Sequence, residues 1–329
     1  MKMNKRLILC GLLIISMLML SACGASKPAE KVYPSEPIKI VIHTSAGGPT
    51  DLMGRTVAQI MEPIVGVSCV VENRPGGSGA TQMAYIAQAA PDGYTLGCMT
   101  PSQLGLLNGN LKDQFKLTDF TWLSLGQIDP YIVVVNAKSQ FKTLQELVDY
   151  AKANPGKINV GGYGSAGAGH NIAWNILADK AGIKVNWTPY ESTGDAVTAI
   201  LGNHVDAANS NPGQVAQFVE TKELRVLGVM ANTRLAEWPD VPTYKEAGFD
   251  VDTSWAQFRG FYGPKGMPED VVKKLNEALT KVYATDKYKE YLSTSQMMPG
   301  GMAAKEYAEF INKQDTITKD WYKKLGISK

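Results

Sequence analysis

The sequence predicts an α/β protein of two lobes, each built on a mostly parallel sheet with helices on both faces. Segments rich in β-branched residues alternate with segments of helical periodicity along most of the chain, as in sheets covered by helices. The chain has 329 residues, more than one hydrophobic core usually serves. Glycine-rich turns follow several predicted strands, and such sheets bind ligands at the carboxyl ends of their strands.

The first 22 residues have the layout of a secretory signal. Lys2, Lys5 and Arg6 precede an apolar run over residues 7–20, which is too short to span a bilayer. The box Leu20-Ser21-Ala22-Cys23 resembles the bacterial lipoprotein signal, in which cleavage leaves the cysteine as a lipid-bearing N-terminus. We therefore expect a signal peptide over residues 1–22, a lipid such as palmitate on Cys23, and a polar tether over residues 23–35.

Charge and composition exclude several classes of function. Cleavage removes three of 33 basic residues and none of the 31 acidic ones, which leaves a net charge of about −1, so we expect no nucleic-acid partner. His43, His170 and His204 are scattered along the chain, and no cluster at ligand spacing predicts a metal site. Cys69 and Cys98 lie in apolar segments. We expect both to be buried and inert, with a disulfide as the alternative.

The first strand and the turn after it are the strongest candidate for a binding site. Residues 38–42 predict a buried strand, and Gly47-Gly48-Pro49 ends it. We expect Thr50 to cap the next helix, with Asp51 in its first turn. Backbone N–H groups, hydroxyls and a helix N-terminus then meet at one point, which is a way to bind an anion without a cation. The alternative is a structural turn that binds nothing.

The rest of the chain continues the alternation. Further predicted strands cover residues 67–71, 94–99, 131–136, 158–160, 184–188, 204–208, 224–229 and 258–263. Predicted helices cover residues 80–88, 143–153, 171–181 and 194–201, and the region 268–325 is helical.

Two motifs could indicate other chemistry. Residues 162–167 match G-x-G-x-x-G, but no acidic residue ends the next strand, as a dinucleotide site requires. We expect this turn to hold a carboxylate through its N–H groups and the hydroxyl of Ser165. His170 could act as a base toward Ser165, but no third partner is evident in the sequence, and we interpret His170 as a capping or core residue.

Several segments together resemble one known family. They are Ser45 to Asp51, Val71 to Gly79, Ala90 to Leu96, Gly164 to Gly167 with His170, Pro239 to Thr243, Ala247-Gly248, Arg259-Gly260 and Gly263 to Gly266. In this order and spacing they are similar to the solute-binding component of tripartite tricarboxylate transporters, the Bug or TctC-like group. The resemblance covers the chain from Tyr33 to the C-terminus.

The resemblance implies a two-lobed, type 2 periplasmic-binding-protein-like fold that closes on a carboxylate, without cofactor or catalysis. Lobe 1 would comprise residues 36–133 and 257–329, and lobe 2 residues 134–256. The ligand contacts it implies are Thr44, Ser45, Ala46, Gly47, Gly48, Thr100, Ser102, Gly164, Ser165, Ala166, Asn209 and Ser210. Two positions depart from the family. Ser210 stands where many relatives carry an acid, which makes an amino-acid ligand less favoured, and His43 precedes Thr44 where a Pro-Phe pair is usual.

We therefore expect an extracytoplasmic lipoprotein that binds a di- or tricarboxylate or another small organic acid. It would be periplasmic or anchored to the outer face of the cell membrane, act as a monomer, and deliver its ligand to one large and one small integral-membrane subunit. Two alternatives stay open. One is an exported enzyme on the same fold, and the other is a ligand-sensing partner of a membrane signalling protein.

Overall fold

The chain folds around two β-sheets, one in each lobe. A computed structural model describes residues 32–327, and the compact unit that holds both sheets begins at Glu36. The predicted signal peptide, Cys23 and most of the tether lie outside the described residues. Within residues 32–327, none of the helices combines the length and the apolar character that crossing a bilayer requires.

The first sheet has six strands, in the order β11-β4-β10-β3-β1-β2. They are β1 (Ile38–Ile42), β2 (Cys69–Asn73), β3 (Thr95–Met99), β4 (Phe120–Asp129), β10 (Gln257–Pro264) and β11 (Met298–Met302). The second sheet has five, in the order β7-β6-β8-β5-β9. They are β5 (Tyr131–Asn136), β6 (Asn159–Tyr163), β7 (Asn186–Tyr190), β8 (Ala207–Ser210) and β9 (Leu224–Met230).

Both sheets are mixed rather than mostly parallel. The expected parallel pairings join β1 to β2 and β3, and β6 to β7 and β8. However, β10 is antiparallel to β3 and β4, and β5 is antiparallel to β8 and β9. The parallel strands of each sheet end at the edge that faces the other lobe. β5 and β10 each begin at that edge, because the chain enters the sheet there from the other lobe, and they therefore run in the opposite direction.

Helices cover both sheets. They are α1 (Pro49–Val65), α2 (Ala80–Ala87), α3 (Pro101–Asn108), α4 (Leu144–Ala153), α5 (Gly169–Ala181), α6 (Thr193–Leu201), α7 (Pro212–Glu220), α8 (Glu269–Ala284), α9 (Asp286–Thr294) and α10 (Ala304–Lys324). α4 begins as predicted, since the Thr143 hydroxyl caps it by accepting from the N–H of Glu146.

Three details of the prediction are wrong. Thr50 does not cap α1, because Gly48 occupies the N-cap and Pro49 the first turn. The predicted lobe boundary after residue 133 falls inside β5, and the chain changes sheet at Pro130, between β4 and β5. The strand predicted over residues 204–208 instead covers Ala207–Ser210, so the expected contacts Asn209 and Ser210 lie within the strand.

The C-terminal helix packs against both lobes, although residues 257–329 were assigned to lobe 1. Tyr307 and Ile311, in the first half of α10, belong to the apolar core of the first sheet. Tyr322 belongs to the core of the second sheet, and Ile327 packs against that core. Cys69 and Cys98 are free thiols in this fold.

Candidate functional site

A cavity of about 550 Å³ lies where the two sheets face each other, within the size range of small-molecule sites. Its walls come from strand ends of both lobes. In the first lobe, Thr44 follows β1 and Thr100 follows β3. In the second, Glu191 follows β7 and Asn211 follows β8. The cavity therefore occupies the edge at which the sequence placed a binding site.

The predicted site residues divide into three groups. Six line this cavity, and they are Thr44, Ser45, Ala46, Gly48, Thr100 and Ser102. Three line an adjoining cavity of about 300 Å³, and they are Gly164, Ser165 and Ala166. Three line neither cavity, and they are Gly47, Asn209 and Ser210. The two cavities share Ser78, Ser102 and Tyr163 in their walls.

The N–H of Gly47 already has a partner within the protein. It donates to Oδ2 of Asp51 over 2.9 Å, and Gly47 has a φ of 87°, a conformation that favours glycine. Asp51 also accepts from Arg55 and Asn73. Burial by itself raises the pKa of Asp51, but these hydrogen bonds outweigh it and hold the pKa below its usual value. Asp51 thus fixes the shape of the turn.

Arg259 supplies a cation that the sequence interpretation did not place in the site. This side chain is buried, lines the cavity and forms an ion pair with buried Asp129. Its Nε donates to the hydroxyl of Thr50, in the first turn of α1, over 3.0 Å. Burial lowers the pKa of Arg259, but the guanidinium stays charged and Asp129 balances its charge.

Two buried histidines line the cavity, one from each lobe. His43 follows β1 and its Nε2 lies 3.5 Å from the Thr100 hydroxyl, whereas His170 lies on α5 with Nε2 2.9 Å from Oδ1 of Asn211. Burial, together with the charge of Arg259, lowers the pKa of His43 to about 3. Burial lowers the pKa of His170 to about 4, against the opposing effect of Asn211. Both rings are neutral at pH 7.

The helix N-terminus at this edge adds a positive partial charge. α1 begins at the cavity wall with Gly48, Pro49 and Thr50, and amides in a first helical turn have no partner within the helix. Among residues 32–327, no group of three or more His, Cys, Asp or Glu side chains could hold a metal ion. His170 bonds to Asn211, so its Nε2 is not directed at Ser165. The arrangement offers neutral donors around a balanced ion pair.

Comparisons with known proteins match this chain to one family. Residues 53–327 match the model of the tripartite tricarboxylate transporter family receptor. A protein of Cupriavidus necator described as "UPF0065 protein in gbd 5'region" is 34% identical over 94% of this chain and 93% of its own. A TctC solute-binding protein from Polaromonas is similar in structure, with a TM-score of 0.74 and 26% identity over 89% of this chain and 99% of its own.

A protein of R. palustris solved with adipate, Rpa4515, has the same fold. The TM-score is 0.79, and the identity is 23% over 90% of this chain and 99% of the other. The match to the family model covers most of the chain, and the Cupriavidus relative matches nearly end to end. The chain therefore belongs to the tripartite tricarboxylate transporter receptor family.

Proposed function

We propose that this receptor captures a small organic carboxylate between its lobes and delivers it to a membrane transporter of one large and one small subunit. The observation that carries the proposal is the chemistry of the main cavity. Hydroxyls of Ser45 and Ser102, the N-terminus of α1 and the guanidinium of Arg259 line it together. All of them favour an anion.

These groups can bind an anion tightly enough to capture it and weakly enough to release it. A helix N-terminus contributes roughly 0.3–1 kcal/mol toward an anion, and each hydrogen bond to a charged group roughly 1.5–3 kcal/mol. A few such contacts give about −8 kcal/mol, which is a micromolar dissociation constant. A transporter can empty a site of that affinity quickly.

The site supports binding better than catalysis. An exported hydrolase or transferase would need a base beside a nucleophile, but the Thr100 hydroxyl donates its proton to Gln103 rather than to His43, and His170 Nε2 bonds to the amide of Asn211. We therefore infer that the protein is not an enzyme and needs no cofactor. Ligand sensing for a membrane signalling protein would use the same cavity, and family membership favours transport.

We further propose that the mature protein is a monomer held at the outer face of the cell membrane by a lipid on Cys23. The support is the agreement of the basic start, the apolar run and the cysteine box in the sequence. The transporter would then find its receptor confined to the same membrane.

Calorimetric titration against a panel of mono-, di- and tricarboxylates, adipate included, tests the proposal. We expect micromolar binding of at least one acid and none of its amide. Ser102 borders both cavities, so Ser102→Ala should weaken binding about tenfold. The exposed Ser293, which lines neither cavity, gives the matched control Ser293→Ala. Absence of binding across the panel would contradict the proposed function.

A further inference from the structure

Two cavity-lining imidazoles each have a ring nitrogen without a partner. His43 and His170 are 7% and 2% exposed, and neither Nδ1 has a hydrogen bond within the described protein. An unmatched buried polar atom costs about 1–3 kcal/mol. One ring comes from each lobe, and both border the same cavity. A partner from outside the protein would account for both nitrogens.

The hydrogen bonds around His170 fix where its proton lies. Asn211 donates through Nδ2 to the carbonyl of Pro130 over 3.1 Å, so its Oδ1 is the atom that faces His170 Nε2. An amide oxygen only accepts, so Nε2 carries the proton. Because the ring is neutral at pH 7, Nδ1 is a bare lone pair that can only accept.

A second set of hydrogen bonds fixes His43 in the same way. Gln103 donates through Nε2 to Gln82 and to the carbonyl of Cys98, so its Oε1 accepts the proton of the Thr100 hydroxyl over 2.7 Å. The Thr100 oxygen can then only accept from His43 Nε2. The Nδ1 atom of His43 is therefore a second bare lone pair.

Both Nδ1 atoms can only accept a hydrogen bond, so their partner must be a donor, and a carboxylate group has no hydrogen to donate. An ammonium group is disfavoured because Arg259 is already a cation in this wall and its partner Asp129 is engaged. The acidic side chain in the cavity lining, Glu191, is exposed. A neutral O–H group satisfies an imidazole lone pair without adding charge.

We propose that the ligand is a hydroxy acid whose hydroxyl donates to Nδ1 of His170 or His43 while its carboxylate meets the donors of the first lobe. The proposal rests on the proposed function and specifies its ligand class. Both nitrogens are enclosed, so a small rotation of the ring accompanies binding. A site built to bond a hydroxyl discriminates strongly against the analogue that lacks it.

Matched pairs of acids test the proposal by calorimetric titration of the mature protein. The pairs are lactate with propionate, malate with succinate, and citrate with propane-1,2,3-tricarboxylate, and the members of each pair differ by one hydroxyl. We expect the hydroxylated member of at least one pair to bind tenfold or more tightly than its partner.

Variants then identify the acceptor. Glutamine places its polar end near the position of Nε2, and asparagine places it near Nδ1. His170→Gln or His43→Gln should therefore abolish the preference for the hydroxylated acid, and the matching asparagine variant should retain it. A merely structural role would weaken both members of a pair equally.

The outcomes are distinct. Equal affinities within every pair that binds, or a preference that survives both glutamine variants, would overturn the inference and leave carboxylate capture intact. Failure of all six acids, and of the wider carboxylate panel, would overturn the proposed function and this inference with it.

Discussion

Two neutral imidazoles make the stability of the protein depend on pH. Burial holds the pKa of His43 at about 3 and that of His170 at about 4, whereas an exposed histidine titrates near about 6.5. Between these values the unfolded chain binds more protons than the native protein. The free energy of unfolding should therefore fall as the pH drops below 6.5, by about 2 kcal/mol between pH 6.5 and 5.5, half from each ring.

Denaturant titrations at these two pH values measure the effect. His170→Gln should remove about half of the dependence, and His204→Gln, at an exposed position, serves as the control. Few carboxylates titrate in this interval, so their contribution is small. An unfolding free energy that stays constant from pH 6.5 to 5.5 would show that the rings are accessible to protons in the native protein.

Single residues of the site were predictable where local sequence determines them. Thr44, Ser45 and Ala46 follow a strand that the sequence marks clearly, and they line the cavity. Arg259 was missed because its place depends on the direction of β10, which returns to the first sheet only after the whole second lobe. Asn209 and Ser210 line neither cavity because β8 extends to Ser210, further than predicted, whereas Asn211, directly after this strand, lines the main cavity.

At the scale of elements, the unusual helix is α10, which joins the two lobes along its length. Its Gln314 accepts from the N–H of Ala256 and donates to the carbonyl of Ser254, in the segment that returns the chain to the first sheet. Tyr322 donates to the carbonyl of Gly105 on α3 over 3.1 Å. Ile327 borders Gly167 in the second lobe, where an added Cβ would lie 2.8 Å from its Cδ1.

We expect α10 to stay with the first lobe when the lobes separate, because Tyr307 and Ile311 lie in the core of that lobe and Asn108 of α3 donates to Asp315. Ile327→Ala should then weaken the closed form by about 1 kcal/mol and ligand affinity about fivefold. Tyr322→Phe should lower thermal stability by about the same free energy without changing affinity. Calorimetry and melting curves measure both effects. The reverse pattern would show that the helix end moves with the second lobe.

Two of the elements that were missed have a signal in the local sequence, and a third has none. α3 was missed although Thr100 and Gln103 form a capping box, a signature that is visible in the sequence. β4 was missed although Phe120-Thr121-Trp122 and Leu123-Ser124-Leu125 each alternate apolar with polar residues. β11 has the sequence Met-Pro-Gly-Gly-Met, which disfavours a strand. Only its pairing with β4 makes it one, and such long-range pairing has no local signal.

At the scale of the whole molecule, the predicted anchor determines where the receptor works. If lipid on Cys23 holds the mature protein, Cys23→Ser should move it from the membrane fraction to the soluble exported fraction. Immunoblots of fractionated cells measure this, and Cys69→Ser is the matched control because Cys69 lies within the fold. Membrane association that survives the change at Cys23 would contradict lipidation there.

The chain passes between the lobes at Pro130, and that crossing has a mechanical consequence. Asn211 bonds to the carbonyl of Pro130 and also to His170 in the cavity wall, so the cavity lies close to this crossing. If one lobe rotates about an axis near the cavity, residues around the cavity move a short distance and residues at the distant rims of the lobes move much farther. A rotation small enough to close on one carboxylate is therefore magnified at the outer surface, where a membrane partner could distinguish the filled receptor from the empty one.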